Sequence, residues 1–340
     1  MHNQFGSESI SSSPLDERIQ EKAVKIGQLF TEIEKTVVGQ KKMVSRLLIG
    51  LFSNGHILLE GVPGLAKTLT ISSLAQVLHL GFKRVQFTPD LLPADLVGTL
   101  IYNQKESRFE VKKGPIFANI ILADEINRSP AKVQSALLEA MQEKQVTIGE
   151  STYPLEPPFL VLATQNPVEQ EGTYPLPEAQ VDRFMMKVYV DYPSKAEEKE
   201  IMRRMAKTSA PEPLRAILSK EEIFEIRKLV DSISLNARLE DYIVDIVMAS
   251  RNPEQYGLKE MKPYIDFGAS PRASISLHLA SKCHAFMQGR SYVIPEDIKA
   301  IAPDVLNHRI ILNYEAEAEE VTTQMVTEKI LRTIPTPSSV

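Results

Sequence analysis

Two stripes of apolar residues open the chain, and each has the spacing of a helix. From 15 to 37 the apolar positions recur at alternating steps of four and three, which predicts an amphipathic helix that Gly39 ends. A second stripe, through Met43 and Leu51, predicts a helix that stops near 54–55, where Asn-Gly suits a left-handed turn. The chain therefore begins with two helices that each bury one face.

Five short apolar runs follow in the next part of the chain, most of them continuous rather than alternating in their apolarity. Strands of this kind are covered on both faces, which is typical of a parallel sheet. Helical patterns separate the runs, the clearest near 130–144, so we predict an α/β core whose parallel sheet is flanked by helices. The runs are residues 56–60, 84–88, 119–124, 159–164 and 185–190.

The same pattern divides the chain into three parts. Residues 1–14 are serine-rich and polar and predict a flexible N-terminal tail. Residues 15–206 hold the α/β core, with hairpin insertions near 99–114 and 145–158. After the fifth run the segments are helical in period, so we predict an all-α domain over 207–340, joined through the proline-containing linker KTSAPEPLRA.

Composition narrows the class of protein. Of the 340 residues 43% are hydrophobic and 24% charged, which is ordinary for a globular protein. The net charge of -5 gives no basic field that would attract nucleic acid. The single cysteine, Cys283, cannot form an internal disulfide, and we find no signal peptide and no apolar run of about 20 residues. We expect a soluble cytoplasmic protein with no membrane span.

The segment GVPGLAKT, between the first strand and a helix, departs at one position from the phosphate-binding pattern G-x-x-x-x-G-K-[ST]. Gly61 and Gly64 let backbone N–H groups turn toward phosphate oxygens at a helix N-terminus. Lys67 would reach the β and γ phosphates, and Thr68 would offer its hydroxyl to Mg²⁺. If Ala66, in place of the last glycine, needs a positive φ, it costs about 1 to 2 kcal/mol. The loop is weakened but not disabled; a structural accident is the alternative.

Carboxylate and amide side chains follow two of the predicted strands. Asp124 would hold Mg²⁺, and Glu125 would polarise the attacking water. The alternative is that this acidic pair only starts the next helix, where negative charge is favourable. Asn166 would contact the water or the γ-phosphate if its strand neighbours the strand of the loop. A turn-forming Asn before Pro167 is the alternative.

Two arginines are candidate cations for the charge that develops on a transferred phosphoryl group. Arg183, at the end of LPEAQVDRF, would serve a neighbouring subunit's nucleotide as an arginine finger, or else pair with Asp182 or Glu178. Arg272 lies in the first turn of a helix that Ser270 caps, where the helix dipole disfavours a cation. We therefore expect an anion nearby, such as a phosphate; a solvated arginine is the alternative.

Taken together, these segments resemble the MoxR family of AAA+ ATPases over roughly 16–335. The resemblance implies an AAA+ core with a helical lid, the hairpins of the helix-2-insert branch, and a ring, usually of six subunits, with ATP at each interface. It also implies that Arg183 acts on a neighbouring subunit, whereas Arg272 senses the γ-phosphate through lid closure. The resemblance is carried by VVGQ, GVPGLAKT, RVQFTPDLLPADLVG, ADEINR, LLEAMQEKQVT, ATQNP, LPEAQVDRF and SPRAS.

The resemblance further implies cofactors, partners and residue roles. The cofactors are ATP and Mg²⁺, and the partners are other copies of the chain and client proteins, possibly with von Willebrand factor A domains. The implied catalytic residues are Glu125, Lys67, Asn166, Arg183 and Arg272, and the implied metal ligands are Thr68 and Asp124. The implied nucleotide contacts are Val38, Gly39, Gly61, Val62, Pro63, Gly64, Leu65, Ala66, Lys67, Thr68, Leu69 and Asp124.

Two other functions stay open at the level of sequence. One is a DNA-directed AAA+ motor of the helicase or restriction type, which the charge of -5 and the lack of a Lys/Arg-rich strip disfavour. The other is a non-catalytic nucleotide switch, which only Ala66 supports. The six histidines form no metal constellation, so the one metal that we expect is Mg²⁺ arriving with ATP.

Overall fold

The fold is described from a computed structural model of the chain, which describes residues 13–62, 64–166, 172–206 and 212–337. Most of the predicted tail and the first part of the predicted linker lie outside these ranges. The strands are β1 (Ile57–Glu60), β2 (Phe82–Gln86), β3 (Gly98–Asn103), β4 (Arg108–Lys113), β5 (Ile120–Asp124), β6 (Gln145–Ile148), β7 (Ser151–Pro154), β8 (Leu160–Gln165), β9 (Met186–Tyr189), β10 (Ile265–Phe267) and β11 (Ile311–Leu312).

Helices cover most of the remaining described chain. They are α1 (Pro14–Ile33), α2 (Lys41–Phe52), α3 (Lys67–Val77), α4 (Pro93–Val97), α5 (Ala131–Glu143), α6 (Glu178–Val181), α7 (Lys195–Met205), α8 (Lys220–Ser232), α9 (Ala237–Arg251), α10 (Pro271–Met287), α11 (Pro295–Leu306), α12 (Tyr314–Ala318) and α13 (Thr323–Thr333).

The predicted first helix is longer than the observed one. α1 begins after Ser13, whose side chain caps it, and ends at Ile33 rather than near Val37. The chain then turns, and the Val37 N–H still donates to the Ile33 carbonyl at 2.9 Å. Val37 stays buried although it is outside the helix, so the apolar stripe extends beyond the helical segment.

Five strands form one sheet in the order β2-β5-β8-β1-β9, and every neighbouring pair is parallel. β1 lies between β8 and β9, with Ile57 opposite Leu162 on one side and Met186 on the other. Each strand coincides with one of the predicted apolar runs to within two residues. The predicted α/β fold is therefore confirmed.

Both faces of the sheet are covered at its centre, which explains why β5 and β8 lack a polar side. Successive residues of a strand point to opposite faces. Leu59 and Ile120 belong to a large apolar cluster with α1, α2, α3 and the C-terminal helices, whereas Leu58 and Ile121 belong to a second cluster with α4 and α5. Continuous apolarity is the consequence of these two layers.

Two antiparallel hairpins project from the core in the segments where the sequence predicts insertions. β3 pairs with β4, with Leu100 opposite Val111, and β6 pairs with β7, with Thr147 opposite Thr152. The hairpins lie side by side, because a Cβ added at Gly149 would meet the Leu100 side chain.

The C-terminal region is helical, with one short addition. β10 and β11 form an antiparallel pair of three and two residues, too short to leave an apolar run in the sequence. The C-terminal helices share the large apolar cluster with α1 to α3, and Arg46 of α2 donates to Asp304 of α11 at 2.6 Å. The predicted domain boundary between residues 206 and 207 stays a prediction. In the part of the chain that the structure describes, no helix has the length and apolarity needed to cross a bilayer.

His56, just before β1, is a fully buried histidine with both ring nitrogens engaged. Its Nδ1 accepts from the Val161 N–H at 3.0 Å, so Nε2 carries the proton and donates to the Met141 carbonyl at 3.2 Å. Burial lowers the pKa of His56 to about 4, and the charges of Lys144 and Arg227 act in the same direction. The neutral imidazole is therefore part of the folded structure.

We expect His56 to make stability dependent on pH. The unfolded chain binds a proton at His56 below pH 6.5, whereas the folded chain resists it down to about pH 4. The free energy of unfolding therefore falls by about 3 kcal/mol over this interval because of this group. Urea unfolding of the wild type and His56→Gln between pH 7 and pH 4 checks this. The difference in the free energy of unfolding between wild type and variant should narrow by that amount from pH 7 to pH 4. A difference that stays constant with pH would contradict the prediction.

Candidate nucleotide-binding site

A cavity of about 410 Å³ opens at the edge of the sheet where the parallel strands end. β1, β5 and β8 run toward this edge, so the residues that follow each strand meet there. Most of the predicted site residues are among those that line the cavity. The lining residues are Gly61, Gly64, Leu65, Ala66, Lys67, Thr68, Leu69, Arg84, Asp124, Glu125, Thr164, Gln165 and Asn166.

The loop between β1 and α3 turns through two left-handed residues. Gly64 has φ +86°, and Ala66, the N-cap of α3, has φ 55° and ψ 21°. The positive φ considered for Ala66 is thus observed. Gly61 is required for space, because a Cβ there would lie 2.6 Å from the Val190 carbonyl oxygen. Pro63 lies outside the described residues.

Lys67 begins α3 and bends back over the loop. Its Nζ donates to the Gly61 carbonyl oxygen at 2.6 Å. Burial lowers the pKa of Lys67, and the carboxylates of Asp124, Glu125 and Glu60 oppose this effect. The ammonium group is held between the loop and the acidic end of β5, which is where phosphate groups would need a cation.

Asp124 is hydrogen-bonded through both carboxylate oxygens. Oδ1 accepts from the Thr164 hydroxyl at 2.6 Å, and Oδ2 accepts from Arg84 Nη2 at 2.6 Å and Nε at 2.9 Å. The guanidinium shows that a positive charge fits beside this carboxylate. Thr68 and Asp124 line the same cavity and offer the hydroxyl and carboxylate oxygens that Mg²⁺ prefers. Thr68 and Asp124 therefore fit Mg²⁺, provided that Arg84 gives up its hydrogen bonds to Asp124.

Glu125 has a backbone conformation that non-glycine residues rarely adopt, with φ 56° and ψ 51°. Its N–H donates to the Thr164 hydroxyl at 2.8 Å, and its Oε2 accepts from Gln86 Nε2 at 2.7 Å. The residues that follow, Ile126–Arg128, form a 3₁₀ turn rather than an α-helix. With this backbone Glu125 lines the cavity instead of starting an α-helix, and strained backbones of this kind are common at functional sites.

Asn166 follows β8, which does pair with β1. Glu60 lies opposite Gln165, so Asn166 comes level with Gly61 at the start of the loop. Asn166 is buried and lines the cavity beside Lys67. The condition on which its predicted contact depends, that the two strands be neighbours, is met.

Arg183 and Arg272 lie at the opposite edge of the sheet. Arg183 precedes β9, and the pairing of Met186 with Ile57 sets the start of β9 beside the start of β1. β1 spans about 13 Å from there to the phosphate loop. Both arginines line a cavity of about 150 Å³ that also includes Asn54. Neither arginine is among the described residues that line the cavity containing Lys67.

An anion lies beside Arg272, as expected for a cation in the first turn of a helix. Arg272 follows the Ser270 cap, and the carboxylate of Asp182 lies 3.3 Å from its Nη1. The contact of Arg272 with a phosphate stays a prediction. The position of Arg272 does not support the expectation that it senses the nucleotide of its own chain through lid closure. Arg183 is exposed and forms no ion pair among the described residues, so the predicted pairing with Asp182 or Glu178 is absent there.

Three other predicted contacts are not among the described residues that line the cavity containing Lys67. Val38 and Gly39 form the turn between α1 and α2 and are not among the described lining residues, and Val62 packs against the large apolar cluster. Arg84 and Gln86 were not predicted as site residues; both lie on β2, the edge strand that pairs with β5. The hydroxyl of Thr164, which links the two acidic residues, was also not predicted.

Comparison with known proteins identifies the family. Residues 56–186 match the ATPase family associated with various cellular activities (AAA), and residues 259–330 match the AAA lid domain. Chaperone MoxR1 of Mycobacterium tuberculosis is 50% identical over 306 residues, which cover 90% of this chain and 81% of that protein. The chain belongs to the MoxR family of AAA+ ATPases.

Other relatives agree with the MoxR assignment. Protein MoxR of Methylorubrum extorquens is 31% identical, over 90% of this chain and 93% of that protein. A crystal structure from Cytophaga hutchinsonii has a TM-score of 0.91 and 58% identity, and covers 95% of this chain and 98% of the other. The AAA+ core with a helical lid is thus confirmed, and membership of a MoxR ATPase family implies that the chain binds a nucleotide.

We expect Ala66→Gly to stabilise the protein. Ala66 is exposed, so its Cβ contributes little packing, while its left-handed backbone costs about 1 to 2 kcal/mol that glycine avoids, less about 0.5 to 1 kcal/mol of glycine's chain entropy. The free energy of unfolding in urea should rise by up to about 1.5 kcal/mol. Ala75→Gly, at a buried helical position, is the matched control and should lower it by about 1 kcal/mol or more. A loss of stability in Ala66→Gly would contradict the strain argument.

Proposed function

We propose that this MoxR-family protein hydrolyses ATP with Mg²⁺ at the cavity at the end of β1. The loop N–H groups and Lys67 bind the phosphates, and Glu125 polarises the attacking water. Asn166 orients that water or the γ-phosphate. Thr68 and Asp124 hold Mg²⁺, which when bound offsets charge on the phosphate oxygens. The observation that carries the proposal is that the ends of three parallel strands bring these groups to one cavity.

The proposed active site takes its arginines from another subunit. A finger must reach the phosphoryl group, yet Arg183 and Arg272 lie at the far edge of the sheet from the loop of their own chain. This separation supports a ring in which each subunit presents both arginines to the nucleotide of its neighbour. Six subunits, as the family resemblance implies, is the ring size that we propose.

The work of the ring is proposed to be the remodelling or maturation of client proteins. One relative, named chaperone MoxR1, supports a chaperone-like role. ATP favours the closed interface, and loss of the γ-phosphate releases it, so hydrolysis would drive motion between subunits. Proteins with von Willebrand factor A domains are the proposed partners, and the single cysteine of the sequence suits the cytoplasm as the place of action.

A mixing experiment tests hydrolysis at interfaces. Lys67→Ala disables a subunit's own site, and Arg183→Ala removes the arginine that the subunit supplies to its neighbour. Each variant alone should therefore lose at least about 90% of ATPase activity, because arginine fingers raise the rate by about 10³-fold or more. An equal mixture should recover activity well above the mean of the two, because some interfaces pair an intact site with an intact arginine. Steady-state phosphate release measures this.

Glu125→Gln is the control variant that should lose catalysis but keep nucleotide binding. It should bind a fluorescent ATP analogue with an affinity within about twofold of wild type while phosphate release falls by about two orders of magnitude or more, as general-base loss predicts. Failure of the mixture to recover activity would rule out arginines supplied from a neighbour. Turnover that survives Lys67→Ala would rule out the whole site.

The client role has its own test. Glu125→Gln with ATP should stall the ring while it holds a client, so affinity capture with ATP should retain a protein that capture without nucleotide does not. Wild-type bait, which completes turnover, is the control and should retain less of that protein. Recovery of nucleic acid or nuclease subunits instead would favour the DNA-directed alternative.

A further inference from the structure

The residues around Arg183 are held by a buried arginine of the lid. Arg309 follows α11, and its side chain is 1% exposed. Its Nε donates to Asp182 Oδ1 at 2.8 Å. Its Nη2 donates to the carbonyl oxygens of Asp182 at 3.1 Å and Phe184 at 2.8 Å, and its Nη1 donates to that of Met185 at 3.0 Å. One guanidinium therefore binds the backbone on both sides of Arg183.

His308 and Phe184 add contacts that fix the same segment. His308 Nε2 donates to the same Phe184 carbonyl at 3.0 Å, and the Phe184 ring is fully buried. Burial and the charge of Arg309 set the pKa of His308 well below its usual value, so the ring is neutral and can keep this donor role with Nε2 protonated. The backbone from 182 to 185 is fixed from the lid side, while the Arg183 side chain remains exposed.

Asp182 connects Arg183 and Arg272, the two arginines that the proposed function assigns to a neighbouring subunit. Its Oδ1 accepts from Arg309, and its Oδ2 accepts from Arg272 Nη1 at 3.3 Å and from the Ser270 hydroxyl at 2.9 Å. Arg183 is the next residue in the chain. The carboxylate thus ties the start of α10, which carries Arg272, to the segment that carries Arg183.

The chemistry of Arg309 suits positioning better than stability. A buried ion pair seldom stabilises a fold more than apolar residues of the same volume. Burial lowers the pKa of Arg309 to about 10, which leaves it charged at neutral pH, and Asp182 favours that charged form. A planar fork with several donors can bind a carboxylate and several carbonyl groups at fixed angles, which a lysine ammonium cannot do.

We propose that Arg309 is a positioning residue that, together with Asp182, sets Arg183 and Arg272 for the nucleotide of the neighbouring subunit. This inference rests on the proposed function, in which those arginines act between subunits. It adds a lid residue to the interface machinery although Arg309 itself is buried and touches no nucleotide.

The test again uses mixed subunits. Arg309→Lys keeps the charge but loses the fork, so we expect at least a tenfold loss of ATPase activity with ATP-analogue affinity within about twofold of wild type. Its own site stays intact, so an equal mixture with Lys67→Ala should recover at least fivefold more activity than the mean of the two preparations. A residue that only stabilised its own fold would give no such recovery.

Two further variants make the result decisive. Asp182→Asn keeps the size of the side chain and should give the same loss and the same recovery, which covers the case that Arg309→Lys does not fold. Arg290→Lys is the matched control, because Arg290 pairs with Asp297 at 2.6 Å elsewhere in the lid, and its activity should stay within twofold of wild type.

The outcomes separate this inference from the proposed function. If Arg183→Ala and Lys67→Ala recover activity on mixing but the Arg309→Lys and Asp182→Asn mixtures do not, the positioning role of Arg309 is wrong and the interface stands. If no mixture recovers, the interface itself is wrong. Full activity of Arg309→Lys and Asp182→Asn alone would also overturn the inference.

Discussion

The parallel pairing of β1 with β8 and β9 is the constraint on which the rest of the molecule depends. In a parallel sheet all strands begin at one edge and end at the other. The loop after β1, the acidic pair Asp124 and Glu125, and Asn166 all lie where strands end, and they therefore meet at one edge. Arg183 precedes a strand and therefore lies at the other edge. The two halves of the proposed ATPase site are thus separated within one chain by the length of a strand.

Each side chain that is expected to act on the nucleotide has a protein partner in the structure. Lys67 is bound to a loop carbonyl, Asp124 to Arg84, and Glu125 to Gln86. A nucleotide and its metal would exchange these contacts rather than create new ones from solvent-filled space. The exchange lowers the free-energy gain of binding, but these contacts keep the buried polar groups satisfied.

Much of the fold could be predicted because each layer left its own pattern in the sequence. The five apolar runs indicated a sheet that is covered on both faces, and Ser270 followed by proline indicated the start of α10. Asp124 and Glu125 were found because they come directly after a strand. The contacts of Arg84, Thr164 and Arg309 were not found, because they join residues 40 to 127 positions apart and depend on which strands and helices become neighbours. The edge at which Arg272 lies depends on the same tertiary packing.

The large apolar cluster runs without interruption from α1, α2 and α3 into the C-terminal helices. A hinge between core and lid would open that cluster to water, at about 25 cal/mol for each Å² exposed. Breaking the buried contact between Arg46 and Asp304 would add to the cost. We therefore expect core and lid of one chain to move as a single rigid body, so that the joint which flexes during a cycle lies between chains. In such a ring the mechanical unit would be one whole chain, core and lid together.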